Sequence, residues 1–103
     1  MITELNENNF VRMTKTGKAV VDFYADWCGP CQMMKPTFEK VSKEFKEVNF
    51  FKVNVDNGQE AAARYDVRSI PTLIFLKDGK EADRIVGVAY EADFKKKINE
   101  VFK

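Results

Sequence analysis

The sequence predicts an α/β fold in which a central mixed sheet of five strands is flanked by four helices. Three observations predict it. Residues Ala19 to Ala25 are apolar on both alternating faces except at Asp22, which is how a strand buried on both sides of a sheet reads. From Pro30 onward, Met34, Phe38, Val41 and Phe45 fall on one helical stripe with Lys and Glu opposite, describing a long amphipathic helix. Asn49 to Val55 then reads as a second buried strand. The three segments form a strand, a helix and a parallel strand joined by a right-handed crossover.

The other elements follow in chain order. Ile2 to Glu4 predicts an edge strand, and Glu7 to Met13 a first helix entered from Asn6 as its cap. Pro36, inside the long helix, removes the amide that would bond the Gln32 carbonyl, which predicts a kink near the second turn. Gln59 to Tyr65, with Ala61, Ala62 and Ala63, predicts a short helix. Asp66 to Pro71 is a loop leading into the strand Thr72 to Leu76. Asp78-Gly79 signals a hairpin turn, with Arg84 to Val86 as the antiparallel partner beyond it. Phe94, Ile98, Val101 and Phe102 form the apolar face of a C-terminal helix.

Composition narrows the function classes. A chain of 103 residues has room for one domain, taken as residues 1–103. A hydrophobic share of 45%, including nine Phe, builds a core and argues against disorder. Lys and Arg number 17 against 16 Asp and Glu, so nothing in the net charge of +1 points to nucleic acid or a membrane surface. The longest uncharged stretches are far short of the ~20 residues that span a bilayer. The start of the chain lacks the basic-then-apolar order of a secretory signal, so a reducing cytoplasm is the expected compartment. Zero His and two Cys remove imidazole catalysis, His-ligated metals and a multi-disulfide framework. Sulfur is left as the expected chemistry.

Both cysteines lie in Trp27-Cys28-Gly29-Pro30-Cys31, at the junction between the buried strand and the long helix. Pro30 suits a helix entry because the amide it lacks would have gone unpaired there. Cys28 then sits at the helix N-terminus, where free amides and the dipole favour thiolate over thiol. Cys31 is about one turn on, a spacing from which it can reach back and resolve a mixed disulfide formed by Cys28. Two other readings stand beside this one. A structural disulfide over so short a loop constrains little of the unfolded chain. A zinc site would need two further ligands from Asp, Glu or a second copy.

The block Val21-Asp22-Phe23-Tyr24-Ala25-Asp26-Trp27-Cys28-Gly29-Pro30-Cys31, together with Ser69-Ile70-Pro71-Thr72, resembles the thioredoxin family across essentially the whole chain. Lys52, Pro36 and Gly87 are similar to its strand lysine, helix proline and groove glycine; Tyr24 departs from the second Trp that many members carry. The resemblance implies the thioredoxin fold and a cytosolic protein-disulfide reductase that maintains redox homeostasis. In that reading Cys28 attacks a substrate disulfide and Cys31 resolves the intermediate. It also implies regeneration by an NADPH-dependent thioredoxin reductase, no bound cofactor beyond the reversible Cys28–Cys31 disulfide, no metal, and a monomer acting on disulfide-containing proteins. Pro71 is implied to be cis. Ile70 would offer its backbone to an extended substrate segment, within an apolar docking surface made by Trp27, Gly29, Pro30, Ile70, Val86, Gly87 and Val88. For Gly87 a simple bend after a strand is the other reading.

A carboxylate in the middle of a strand buried on both faces is costly to ionise, so Asp22 is expected to hold its proton unusually well. Lys52, in the neighbouring buried strand, is its expected counter-charge. A purely structural ion pair is one reading; the resemblance implies the other, proton transfer to and from Cys31. Two further functions stay open: a scaffold module for which thiol exchange is incidental, and an oxidant or isomerase of an exported compartment, against which the Gly-Pro between the cysteines argues by resemblance.

Overall fold

The computed structural model describes residues 2–103. In chain order its elements are β1 (Ile2–Leu5), α1 (Phe10–Thr14), β2 (Lys18–Tyr24), α2 (Gly29–Glu44), β3 (Asn49–Asn54), α3 (Gln59–Arg64), β4 (Thr72–Lys77), β5 (Lys80–Val86) and α4 (Glu91–Phe102). The sheet order is β1-β3-β2-β4-β5, with β1, β3 and β2 parallel and β4 and β5 antiparallel. This is the five-stranded mixed sheet with four helices expected from the pattern of apolar residues.

Period-two alternation in the central strands sorts the core into two layers. Val20, Phe50, Leu73 and Phe75 point to one face, where they pack with Met34, Phe38 and Val41 of α2 and Phe94 and Ile98 of α4. Their neighbours Val21, Phe51, Ile74 and Leu76 point to the other, against Phe10 of α1 and Ala61 and Ala62 of α3. Asp22 shares the face of Val20, and Lys52 that of Phe50. Both therefore lie on the α2 side of the sheet.

Pro36 does not interrupt α2, which is helical from Gly29 through Glu44. An interior proline costs a helix about 3 kcal/mol, whereas burying Met34, Phe38 and Val41 contributes roughly 1.5–3 kcal/mol each. Packing outweighs the lost hydrogen bond.

Two element boundaries differ from those expected. The first helix begins at Phe10, not at Glu7. Asn6 does act as a cap, its side-chain oxygen accepting the amides of Asn8 at 2.8 Å and Asn9 at 3.2 Å, but what it closes is a turn that precedes the helix. Strand β5 begins at Lys80, four residues earlier than apolar patterning indicated. The Asp78-Gly79 turn, with φ of 51° and 82°, delivers the chain straight into pairing between Lys77 and Lys80. The start of β5 is a polar sheet edge, so its strand character comes from backbone pairing that hydrophobic alternation does not report. No helix among the described residues is long and apolar enough to cross a membrane.

Candidate active site

At the end of the central strand the chain turns into α2, and Cys28 is the residue that caps this helix. Its backbone is extended, with φ −92° and ψ 112°, and its Sγ accepts the amide of Cys31 at 3.2 Å. Pro30 occupies the first turn, where a missing amide leaves nothing unpaired. One turn on, Cys31 is bonded to Cys28 in a disulfide with a Cα–Cα separation of 5.3 Å. Both cysteines are buried against Ala25, with Tyr24, Val55 and Ile70 packed around them.

The loop before β4 comes to the same place from the other half of the chain. The Ile70–Pro71 peptide bond is cis, and the Ile70 carbonyl oxygen lies 3.9 Å from Cys28 Sγ. Gly87 donates its amide to the Pro71 carbonyl at 2.8 Å. Its φ of 92° is one that glycine adopts freely. Gly29 and Pro30 are exposed at the helix entry, and Val86 is exposed at the end of β5. Trp27 is 72% exposed, yet its indole N–H donates to Asp56 at 3.0 Å, which holds the ring at the surface beside Cys28. Val88 is turned partly inward, half-buried against the core layer beneath α2 and α4.

Behind Cys31, a cleft of about 130 Å³ is lined by Asp22, Tyr24, Asp26, Gln32, Lys35 and Lys52. It is roomy and polar enough to admit water between the Asp22 carboxyl and the cysteine. Asp22 is only 6% exposed, and its Oδ1 has no hydrogen-bond partner. Burial pushes its carboxyl from the ordinary 3.8 up to about 7; the Lys52 charge opposes that rise and the Glu4 charge reinforces it.

Lys52 acts on Asp22 as the expected counter-charge, but without a direct ion pair. Its Nζ pairs with Glu4 Oε1 at 3.7 Å and stands 5.5 Å from the centre of the Tyr24 ring. The parallel register explains the choice: Lys52 is flanked by Glu4 on one side and Asp22 on the other. Glu4 is half-exposed, so pairing there desolvates the ammonium less than pairing with buried Asp22. Tyr24 completes the group, its hydroxyl donating to both Glu4 oxygens at 2.7 and 2.9 Å. Burial and this bond hold its phenol above the usual tyrosine range, so it remains a donor. Glu4 and Asp56 went unmarked in the sequence because each lies far along the chain from the residue it contacts. Among the described residues, no group of three or more His, Cys, Asp or Glu is gathered as metal ligands.

The family model described as Thioredoxin matches residues 1–100. The chain belongs to the thioredoxin family. It is 42% identical over 100 residues to the thioredoxin of Chlamydia caviae, covering 97% of this chain and 98% of the relative. Against the thioredoxin of Mycoplasmoides gallisepticum it is 53% identical over 70 residues, covering 68% of this chain and 70% of that one. Among solved structures, the thioredoxin of Malassezia sympodialis superposes with a TM-score of 0.90 at 32% identity, covering 99% of this chain and 94% of that chain. The protein is therefore a thiol-disulfide oxidoreductase with the thioredoxin fold, exchanging the Cys28–Cys31 dithiol and disulfide with disulfide-containing substrates.

Proposed function

We propose that this chain works as a cytoplasmic protein-disulfide reductase that maintains redox homeostasis, in which Cys28 attacks, Cys31 resolves and Asp22 moves the proton. The observation that carries the assignment is the inequivalence of the two sulfurs. Cys28 Sγ is the helix cap and already accepts the Cys31 amide at 3.2 Å, so negative charge on it is stabilised in place. Cys31 instead faces the cleft that holds Asp22.

The electrons balance over two displacements. Thiolate Cys28 attacks one sulfur of a substrate disulfide; that S–S bond breaks, and the other substrate sulfur leaves as a thiolate and takes up a proton. Asp22, in its carboxylate form, accepts the Cys31 thiol proton across the cleft. The Cys31 sulfur then attacks Cys28 Sγ, closes the intramolecular disulfide and expels the second substrate thiolate. Two electrons pass from the dithiol to the substrate. A base titrating near 7 suits the resolving step at neutral pH.

Substrates dock as extended segments on the surface formed by exposed Trp27, Gly29, Pro30 and Val86 and half-buried Ile70 and Gly87, with Val88 supporting it from beneath and Pro71 shaping the loop. An NADPH-dependent thioredoxin reductase returns the electrons, and the chain acts as one domain and as a monomer, with no bound cofactor. The near-neutral net charge supports protein disulfides over nucleic acid or a membrane surface as partners. The deciding experiment is trapping. Cys31→Ser accumulates a covalent mixed disulfide through Cys28, resolved on a non-reducing gel, and Cys28→Ser accumulates none. Trapping through Cys31 in the Cys28→Ser variant at a comparable rate would reverse the roles.

A further inference from the structure

Three charged side chains stand side by side across the parallel half of the sheet: Glu4 on β1, Lys52 on β3 and Asp22 on β2, each in register with the next. The ammonium in the middle stands in register with two carboxylates and pairs with one of them. It is 3.7 Å from Glu4, while Asp22 Oδ1 is buried with no hydrogen-bond partner. Glu4 is itself held from a second direction, since the Tyr24 hydroxyl donates to both of its oxygens. That bidentate contact fixes the carboxylate where it competes for Lys52.

We propose that Glu4 is a positioning residue for disulfide exchange: braced by Tyr24, it holds Lys52 in its own ion pair and leaves the Asp22 carboxyl without a direct ion pair behind Cys31. The proposal rests on the proton-transfer role assigned to Asp22 and adds to it the reason that Asp22 is only partly compensated by Lys52. The remaining groups around the carboxyl do not supply a substitute. Asp26 and Lys35 line the cleft with opposite charges, Cys31 is in the disulfide, and the β4 neighbour in register is apolar Leu73. Burial raises the Asp22 carboxyl most, and the Glu4 charge adds to that rise while Lys52 works against it. Removing Glu4 therefore acts twice in one direction: its own negative charge goes, and Lys52 is freed to approach Asp22.

The test reads Asp22 directly, by carbon-13 NMR titration of its carboxyl in the oxidised full-length chain, and separately reads the pH profile of mixed-disulfide resolution. Glu4→Gln keeps the size of the side chain and an acceptor for Tyr24 but removes the charge. It is expected to lower the Asp22 midpoint by about one pH unit or more, the size of effect an opposite charge at close range produces. Lys52→Met is expected to raise the midpoint. In the Lys52→Met background, Glu4→Gln should lower it by clearly less than in the parent. An unchanged midpoint in Glu4→Gln overturns the proposal. So does an equal shift in both backgrounds, because Glu4 would then act on Asp22 by charge alone and not through Lys52. If the midpoint moves as expected but the resolution profile stays put, Glu4 does position Lys52 and it is the proton role of Asp22 that fails.

Discussion

Asp22 concentrates the cost and the use of a buried charge in one residue. Its carboxyl titrates near 7 in the folded protein and at the ordinary 3.8 when the chain is unfolded. Between those values the folded state holds a proton that the unfolded state has released, so stability falls as pH rises through the window and levels off above it. Asp22→Asn removes the ionisation. The oxidised variant should be more stable than the parent at pH about 8, by up to roughly 4 kcal/mol at about 1.4 kcal/mol per pH unit, with the difference fading toward pH about 4. Urea denaturation at the two pH values measures it, and an advantage that is the same at both ends of the window would contradict the assignment of the shift to Asp22. The same substitution should slow resolution at neutral pH more than initial attack, as single-turnover kinetics would separate. The cost of Asp22 was legible in the sequence as a carboxylate inside an apolar strand. The actual partner of Lys52 was not, because choosing between two carboxylates depends on strand order and exposure.

At the scale of elements, α2 carries the chemistry at its first turn and depends on the rest of its length for anchorage. Phe38 of α2 stacks on Phe94 of α4 with ring centroids 5.9 Å apart and planes 7° from parallel, while Phe50 and Phe75 of the sheet meet Phe94 edge-on. Phe94 is fully buried at the centre of this group. Phe94→Ala should therefore destabilise the fold by about 3–5 kcal/mol, the usual range for emptying an aromatic core site. A shift in the denaturation midpoint at unchanged m-value would register it, and a loss below about 1 kcal/mol would show that α4 is not held by this cluster. Helices α2 and α4 announced themselves through apolar stripes. The existence of helix α1 was legible as well, but its start and that of β5 were not, since the first is set by the Asn6 turn and the second by backbone pairing beyond a local turn.

For the molecule as a whole, the near balance of 17 basic and 16 acidic residues leaves no large field to steer substrates. Attack on a disulfide-containing protein substrate should change by less than about twofold between roughly 0.05 and 0.5 M salt, in a stopped-flow measurement at fixed pH. A steep decline would reveal a charged docking surface instead of the apolar one proposed around Trp27 and Val86. The amino-acid sequence by itself determined the order of most elements, the two-layer core and the identity of the redox couple, because hydrophobic period, helix-entry chemistry and the Cys-Gly-Pro-Cys spacing are local properties. Only the tertiary structure decided that the Ile70 carbonyl lies 3.9 Å from Cys28 Sγ, that Asp56 holds Trp27, and that Glu4 rather than Asp22 takes Lys52. Those contacts join residues distant along the chain, and the order and register of the strands determine which side chains compete for the same partner.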